Sequence, residues 1–169
     1  RCQEEKDKLL VEVAGKAVVY YSLIAFNDHP EIKEVTVVAS KSNKAKIEAV
    51  VKEYRLEKVK KVVLGGKNRQ ESLSKGFKTL EKKAKPKDVI LVHNAANPLP
   101  STNEITECIN ISEESGACIV GHFVSSTIKE ISKDKILKTH DREKLFAAET
   151  PQAAQYGIFN RALKNAEKE

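Results

Sequence analysis

Four short apolar runs, each set against a stretch with helical periodicity, constrain this chain more than any other feature: Glu34–Ala39 (EVTVVA), Val62–Leu64, Val89–Val92 and Ala117–Val120. They are continuous rather than alternating, and rich in β-branched residues, which marks strands buried on both faces. Between them, Asn43–Tyr54 puts Ala45, Ile47, Val50, Val51 and Tyr54 on one helical face, and Ser72–Leu80 does the same with Leu73, Phe77 and Leu80. Ser101-Thr-Asn-Glu104 fits a capping box, in which the serine hydroxyl and the glutamate carboxylate satisfy free amides of a first helical turn, and Gly116 stops that helix. A further helix, Val18–Phe26, ends before His29-Pro30, and a short apolar piece, Leu9–Val13, ends at Gly15. Such alternation of strand and helix predicts an α/β domain, with a mostly parallel sheet covered by helices on both faces. After Val120 the rhythm changes: Ser126–Ile131 and Lys135–Thr139 read as a hairpin arm joined at Ser132–Asp134, and a helix over Tyr156–Ala166 closes the chain.

A length of 169 residues suits one domain with a real core. Charged residues make up 32% and hydrophobic ones 40%, and no apolar run approaches membrane-spanning length, so a membrane role is not expected. The opening RCQEEKDK has no apolar core of the kind a secretory signal needs. Cys2, Cys108 and Cys118 lack metal-ligand spacing and read as free thiols of a reducing, cytoplasmic protein. The net charge of +6 comes from scattered lysines, with Lys82, Lys83, Lys85 and Lys87 crowding one turn at Pro86. Aromatic residues do not interleave with them, so we read a solvated surface and no nucleic-acid partner. The chain begins at Arg1 and contains no methionine, and is read as a single domain that is incomplete at both ends.

In an open α/β sheet, ligands sit beyond the carboxyl ends of the strands. Three stretches lie there. Gly65–Arg69 pairs two glycines, whose bare backbone can approach a ligand closely, with Ser72 at a helix start; an ordinary strand-to-helix turn explains it equally well. His93–Pro98 (HNAANP) offers the amides of Asn94 and Asn97 beside the small Ala95 and Ala96, or is simply a satisfied turn. Thr139–Gln152 carries Arg142, able to clamp a phosphate by two bonds, and Thr150 with a hydroxyl to add; a solvent-facing helix cap at Asp141 is the alternative. His29 and His122 read as structural or exposed, His140 has no evident partner, and no nucleophile–histidine–acid set stands out.

Taken in order, GGKNRQESLSKG, HNAANP, STIK and THDREKLFAAETPQ resemble the pattern "GG…R…S…G", "HDAARP", "DT.K" and "T.DR..L…TPQ" of the 2-C-methyl-D-erythritol 4-phosphate cytidylyltransferases of the non-mevalonate isoprenoid pathway, with the spacing kept over essentially the whole chain. The resemblance implies a Rossmann-like fold of the nucleotide-diphospho-sugar transferase type, whose hairpin arm, about residues 123–142, makes a homodimer. It implies transfer of a cytidylyl group from CTP to a polyol phosphate, with release of pyrophosphate and with Mg²⁺ bridging triphosphate oxygens. Arg1 and Lys8 fall at the family's catalytic arginine and lysine, which neutralise the reacting phosphorus centre. The glycine-rich phosphate loop that precedes them in the family, and a later segment with a further threonine and lysine, lie outside the sequence. By the same resemblance, Gly65, Gly66, Lys67 and Ser72 hold the cytidine, and Arg69 braces that loop. Asn94 and Ala95 lie along the ribose and sugar-phosphate side. Thr127, Lys129 and Arg142 bind the methylerythritol phosphate, Thr127 and Arg142 in the partner's site, while Thr150 contacts the alcohol at home.

Four positions depart from the pattern: Asn94 and Ser126 stand where it has aspartate, Asn97 where it has arginine, and Lys67 where it has an acidic residue. They bear on which alcohol is used more than on nucleotidyl transfer as such. Two other readings stay open: a cytidylyltransferase for another polyol phosphate such as ribitol 5-phosphate, and a non-catalytic nucleotide-binding relative.

Overall fold

The structure, a computed structural model, describes residues 8–166. A single 3-10 turn, Lys8–Leu10, leads into the tight hairpin of β1 (Glu12–Val13) and β2 (Lys16–Ala17). Its two-residue turn holds Ala14 at φ 49° and Gly15 at φ 76°, the positive values that a hairpin turn of this length requires. The helix α1 (Val18–Asp28) follows, then β3 (Val35–Ala39), α2 (Lys44–Glu53), β4 (Val59–Leu64), α3 (Arg69–Lys78), β5 (Val89–Val92), α4 (Thr102–Ser115) and β6 (Ala117–Phe123). The hairpin arm is β7 (Lys129–Ser132) and β8 (Lys135–Thr139); β9 (Phe146–Gln155) and α5 (Tyr156–Ala166) complete the order.

The α/β class stands, with strand directions more mixed than the alternation predicts. β3 and β4 pair in parallel, Val37 opposite Val62. β5 and β6 are separated by β9, which runs antiparallel to both, with Ala153 facing Leu91 on one side and Cys118 on the other. No strand was expected at β9, because FAAETPQAAQ carries alanines and a proline instead of β-branched residues. The strand forms because it is central: Ala153 and Ala154 are 3% and 4% exposed, and small side chains suit a strand enclosed on both edges and under α4.

One apolar cluster joins Val19 and Leu23 of α1, Val37 and Ala39 of β3, Ile47 of α2, and Leu56; a second joins Phe26, Ile32 and the α4 residues Ile105 and Ile109. α1 therefore wedges between the two halves, and it carries a buried Ser22 to the back of the β5 loop. On α2, Ile47, Val50, Val51 and Tyr54 pack inward as expected, but Ala45 is exposed, one step outside the buried stripe. α3 begins at Arg69 with Asn68 as its cap, so Ser72 lies within the helix rather than opening it. The capping box of Ser101 and Glu104 forms, and Gly116, at φ 91°, ends α4. Phe77 of α3 stacks on Tyr156 and meets Phe159 edge-on, docking α5. Among the described residues no helix is long and apolar enough to cross a membrane.

Candidate active site

Beyond the carboxyl end of β4, the amide of Gly65 donates to the carbonyl of Ala39 (2.8 Å) and extends the parallel ladder one step past the strands. The next amides turn onto α3. Gly66 N–H donates to Ser72 Oγ (3.0 Å), Lys67 N–H to Glu71 Oε2 (2.8 Å), and Glu71 N–H to Asn68 Oδ1 (2.8 Å). Ser72 Oγ donates in turn to Asn68 O (2.8 Å), and Lys75 Nζ holds the carbonyl of Gly65 (2.8 Å). The glycine pair is required by this fit: a Cβ on Gly65 would come within 2.9 Å of Ser72 Oγ, and one on Gly66 would overlap the Cβ and carboxylate of Glu71. The brace expected of Arg69 is supplied instead by Asn68, Glu71, Ser72 and Lys75. Arg69 itself makes no side-chain hydrogen bond or ion pair with the described residues and faces an open cleft.

That cleft, about 680 Å³, is lined by Arg69, by His93, Asn94 and Asn97 beyond β5, and by Glu149 and Thr150 of β9. The β5 loop is anchored from behind. Ser22 Oγ lies 2.8 Å from the carbonyl of Ala95 and 3.0 Å from that of Asn97. His93 Nε2 lies 2.8 Å from Asn97 O and must donate, since a carbonyl can only accept. This leaves Nδ1 bare and buried without a partner. Burial lowers the imidazole's pKa against smaller opposing effects of the Asn97 carbonyl and Glu104, so His93 is a neutral anchor. Asn94 Oδ1 accepts from Ala96 N–H (3.1 Å), and Asn94 O from Asn97 N–H (2.8 Å). The Ala95 side chain packs on the α1–β3 core rather than along the cleft.

Thr150 reaches this loop through an irregularity in β9. The ladder with β6 pairs Gln152 with Ile119 and Ala148 with Gly121, so Glu149, Thr150 and Pro151 stand opposite Val120 alone. A bulge of this kind re-aims a side chain, and it also places Pro151, which has no N–H, where no ladder bond is needed. Thr150 Oγ1 accepts from Asn94 N–H (3.3 Å) and Asn97 Nδ2 (3.2 Å). Asn94 and Thr150, two of the candidate residues, thus meet across 56 positions of sequence.

The other candidates lie elsewhere. Lys8 is exposed at the head of the first turn; Arg1 and Cys2 lie outside the described residues. Thr127 precedes β7 in an exposed loop, Lys129 Nζ holds Thr139 Oγ1 across the arm (2.8 Å), and Arg142 donates to Ser125 O (2.9 Å). None of the three lines the cleft of its own chain. His140, expected without a partner, pairs with Glu130 (3.3 Å); His122 pairs with Glu149 (3.1 Å), and buried His29 bonds Thr106 (3.1 Å). Cys108 and Cys118 are free thiols, and burial, first of all, pushes the Cys108 thiol up to about 12. Both carboxylates of the cleft wall are engaged, Glu104 in the α4 cap and Glu149 with His122, and no cluster of three metal-ligating side chains occurs among the described residues.

An α/β nucleotide-site frame, with the cleft at the carboxyl ends of its strands, defines the class. The family model of 2-C-methyl-D-erythritol 4-phosphate cytidylyltransferase matches residues 1–169. Relatives bearing that name include one from Alkaliphilus metalliredigens, 36% identical over 95% of this chain and 66% of its own length. Another, from Dictyoglomus thermophilum, is 35% identical over 97% of this chain and 71% of its own. A crystal structure of 4-diphosphocytidyl-2C-methyl-D-erythritol synthase, 29% identical, superposes with a TM-score of 0.83 over 93% of this chain and 74% of that one. The chain belongs to the 2-C-methyl-D-erythritol 4-phosphate cytidylyltransferase family, nucleotidyltransferase enzymes of isoprenoid biosynthesis. It spans about two thirds to seven tenths of the length of these relatives.

Proposed function

We propose that the protein to which this chain belongs transfers the cytidylyl group of CTP to 2-C-methyl-D-erythritol 4-phosphate. A phosphate oxygen of the acceptor attacks the α-phosphorus, the bond from that phosphorus to the bridging oxygen breaks, and the electron pair leaves with pyrophosphate. The observation that carries this reading is the convergence of Asn94 and Thr150, from separate family motifs, on one cleft at the carboxyl end of β5. The reaction needs positioning and charge neutralisation more than covalent help. In this reading Lys8, with Arg1, supplies positive charge at the reacting phosphorus. The Gly65–Lys67 loop holds the cytidine through atoms left over from its own bracing, such as the Gly66 carbonyl. Mg²⁺ would arrive bound to the triphosphate and offset its negative charge, since the described residues hold no cluster of three metal-ligating side chains.

The hairpin arm is read as the dimer contact, carrying Thr127, Lys129 and Arg142 to a second subunit's cleft. Every residue of β7 and β8 is exposed, Ile131, Ile136 and Leu137 at 60–66%, and apolar side chains so displayed call for a cover. The test is pyrophosphate release by the full-length protein with CTP, Mg²⁺ and either methylerythritol phosphate or ribitol 5-phosphate. Release with the first acceptor is expected. Release with the second alone moves the enzyme to another polyol, and release with neither overturns the catalytic reading.

A further inference from the structure

Thr150 sits between two groups that can only donate. Its Oγ1 accepts from the backbone N–H of Asn94 at 3.3 Å and from the side-chain amide Nδ2 of Asn97 at 3.2 Å. A threonine hydroxyl has two lone pairs and one proton, so these two bonds use its accepting capacity and leave the O–H over. No described protein group accepts that proton, and Thr150 lines the cleft. The Asn97 backbone is itself held at both polar points: its N–H donates to Asn94 O (2.8 Å), and its carbonyl accepts from His93 Nε2 (2.8 Å) and lies 3.0 Å from Ser22 Oγ. Its side chain is thereby aimed at Thr150, from a clamp rooted in α1.

We infer that Asn97 is a positioning residue that fixes the Thr150 hydroxyl as a hydrogen-bond donor into the cleft, so that this point of the site selects an acceptor oxygen on the alcohol-phosphate substrate. A group able only to donate at that point meets the wrong polarity. Asn97 stands where the family pattern has arginine, so the side-chain donor to Thr150 here is a neutral amide. The inference rests on the proposed cytidylyl transfer for the identity of the ligand, but not for the hydrogen-bond arrangement.

The test is a double-mutant cycle in the full-length protein: Asn97→Leu, Thr150→Val and the pair, with Thr150→Ser as the conservative control. A lost neutral hydrogen bond of this kind is worth roughly three- to tenfold. Each single substitution is expected to raise the KM for the acceptor by about that factor, leaving the KM for CTP in place. The pair should be no worse than Thr150→Val, and Thr150→Ser should stay near wild type. Additive losses, or a KM for CTP that moves with the acceptor's, overturn the inference. If the wild-type protein turns over no acceptor, the functional reading falls separately. Urea midpoints of the same four sequences then decide the arrangement: non-additive shifts uphold the Asn97–Thr150 bond, and additive ones refute it.

Discussion

Gly66 has no room for a side chain, because its Cβ position is taken by Glu71 Cβ and carboxylate, with the Glu71 backbone carbon at 3.0 Å. The carboxylate can swing away but the helix backbone cannot, so Gly66→Ala is expected to cost about 1–3 kcal/mol in urea denaturation, the range of overpacking. It should also displace the start of α3, from which Arg69 faces the cleft, seen as a loss of activity larger than the loss of folded protein. His93 gives a second prediction. Burial lowers its pKa in the folded state, so the unfolded chain binds the proton more readily between that value and the ordinary 6.5. Stability therefore rises with pH across this window; the contribution is complete above 6.5 and is lost as the pH falls below it. His93→Gln, which can still donate to the Asn97 carbonyl, should flatten the slope between pH 7.5 and 5.5 in denaturation titrations. A slope unchanged by the substitution would place the titration elsewhere.

α4 is pinned at both ends by devices readable in the sequence, the Ser101–Glu104 box and Gly116 at positive φ. It buries Ile105, Cys108, Ile109 and Ser112 against β9 and the second core cluster. Ser101→Ala removes the hydroxyl that accepts the Glu104 amide and should lower stability by about 1 kcal/mol. It also loosens Glu104, a wall of the cleft. The same helix shields one thiol more than its neighbour: Cys108 is 2% exposed and its thiol is pushed up to about 12, while Cys118 is only partly buried. Since the thiolate is the reactive form, iodoacetamide should modify Cys118 of the folded protein before Cys108, which reacts only on unfolding. Peptide mapping by mass spectrometry after timed quenching reads the order.

Across the molecule, the two halves meet on α1, which sends Val19 and Leu23 to one core and Phe26 to the other, while Ser22 between them holds the β5 loop. Among the described residues, the arm leaves Ile131, Ile136 and Leu137 in solvent, and the edge-on pair of Phe123 and Phe146 is exposed as well. On the proposed dimer, Ile136→Asp should shift the full-length protein to half its mass in analytical ultracentrifugation and depress turnover, with no change in helix content. An unshifted mass would put the interface elsewhere. Much of this was legible from residue order alone. The positions of the apolar β-branched strands, helical periodicity, the α4 caps and the α5 span are local properties, decided by side-chain shape and spacing over a few residues; how deeply each strand is buried is not, since only Val37 and Ala39 of the four runs reach the core. The motifs likewise marked Asn94 and Thr150 one by one. What only the folded chain decided is non-local. β9 is a strand because β5 and β6 offer their edges to an alanine-rich segment with little strand preference of its own. Ser72 is a brace because Asn68 takes the cap. Arg69 is free because its neighbours satisfy the loop, and Thr150 becomes a donor only when the bulge in β9 brings it to Asn97. Each of these depends on hydrogen-bond partners far apart in sequence or on competition among near neighbours, and such choices are settled by three-dimensional closure, not by the preference of any one residue.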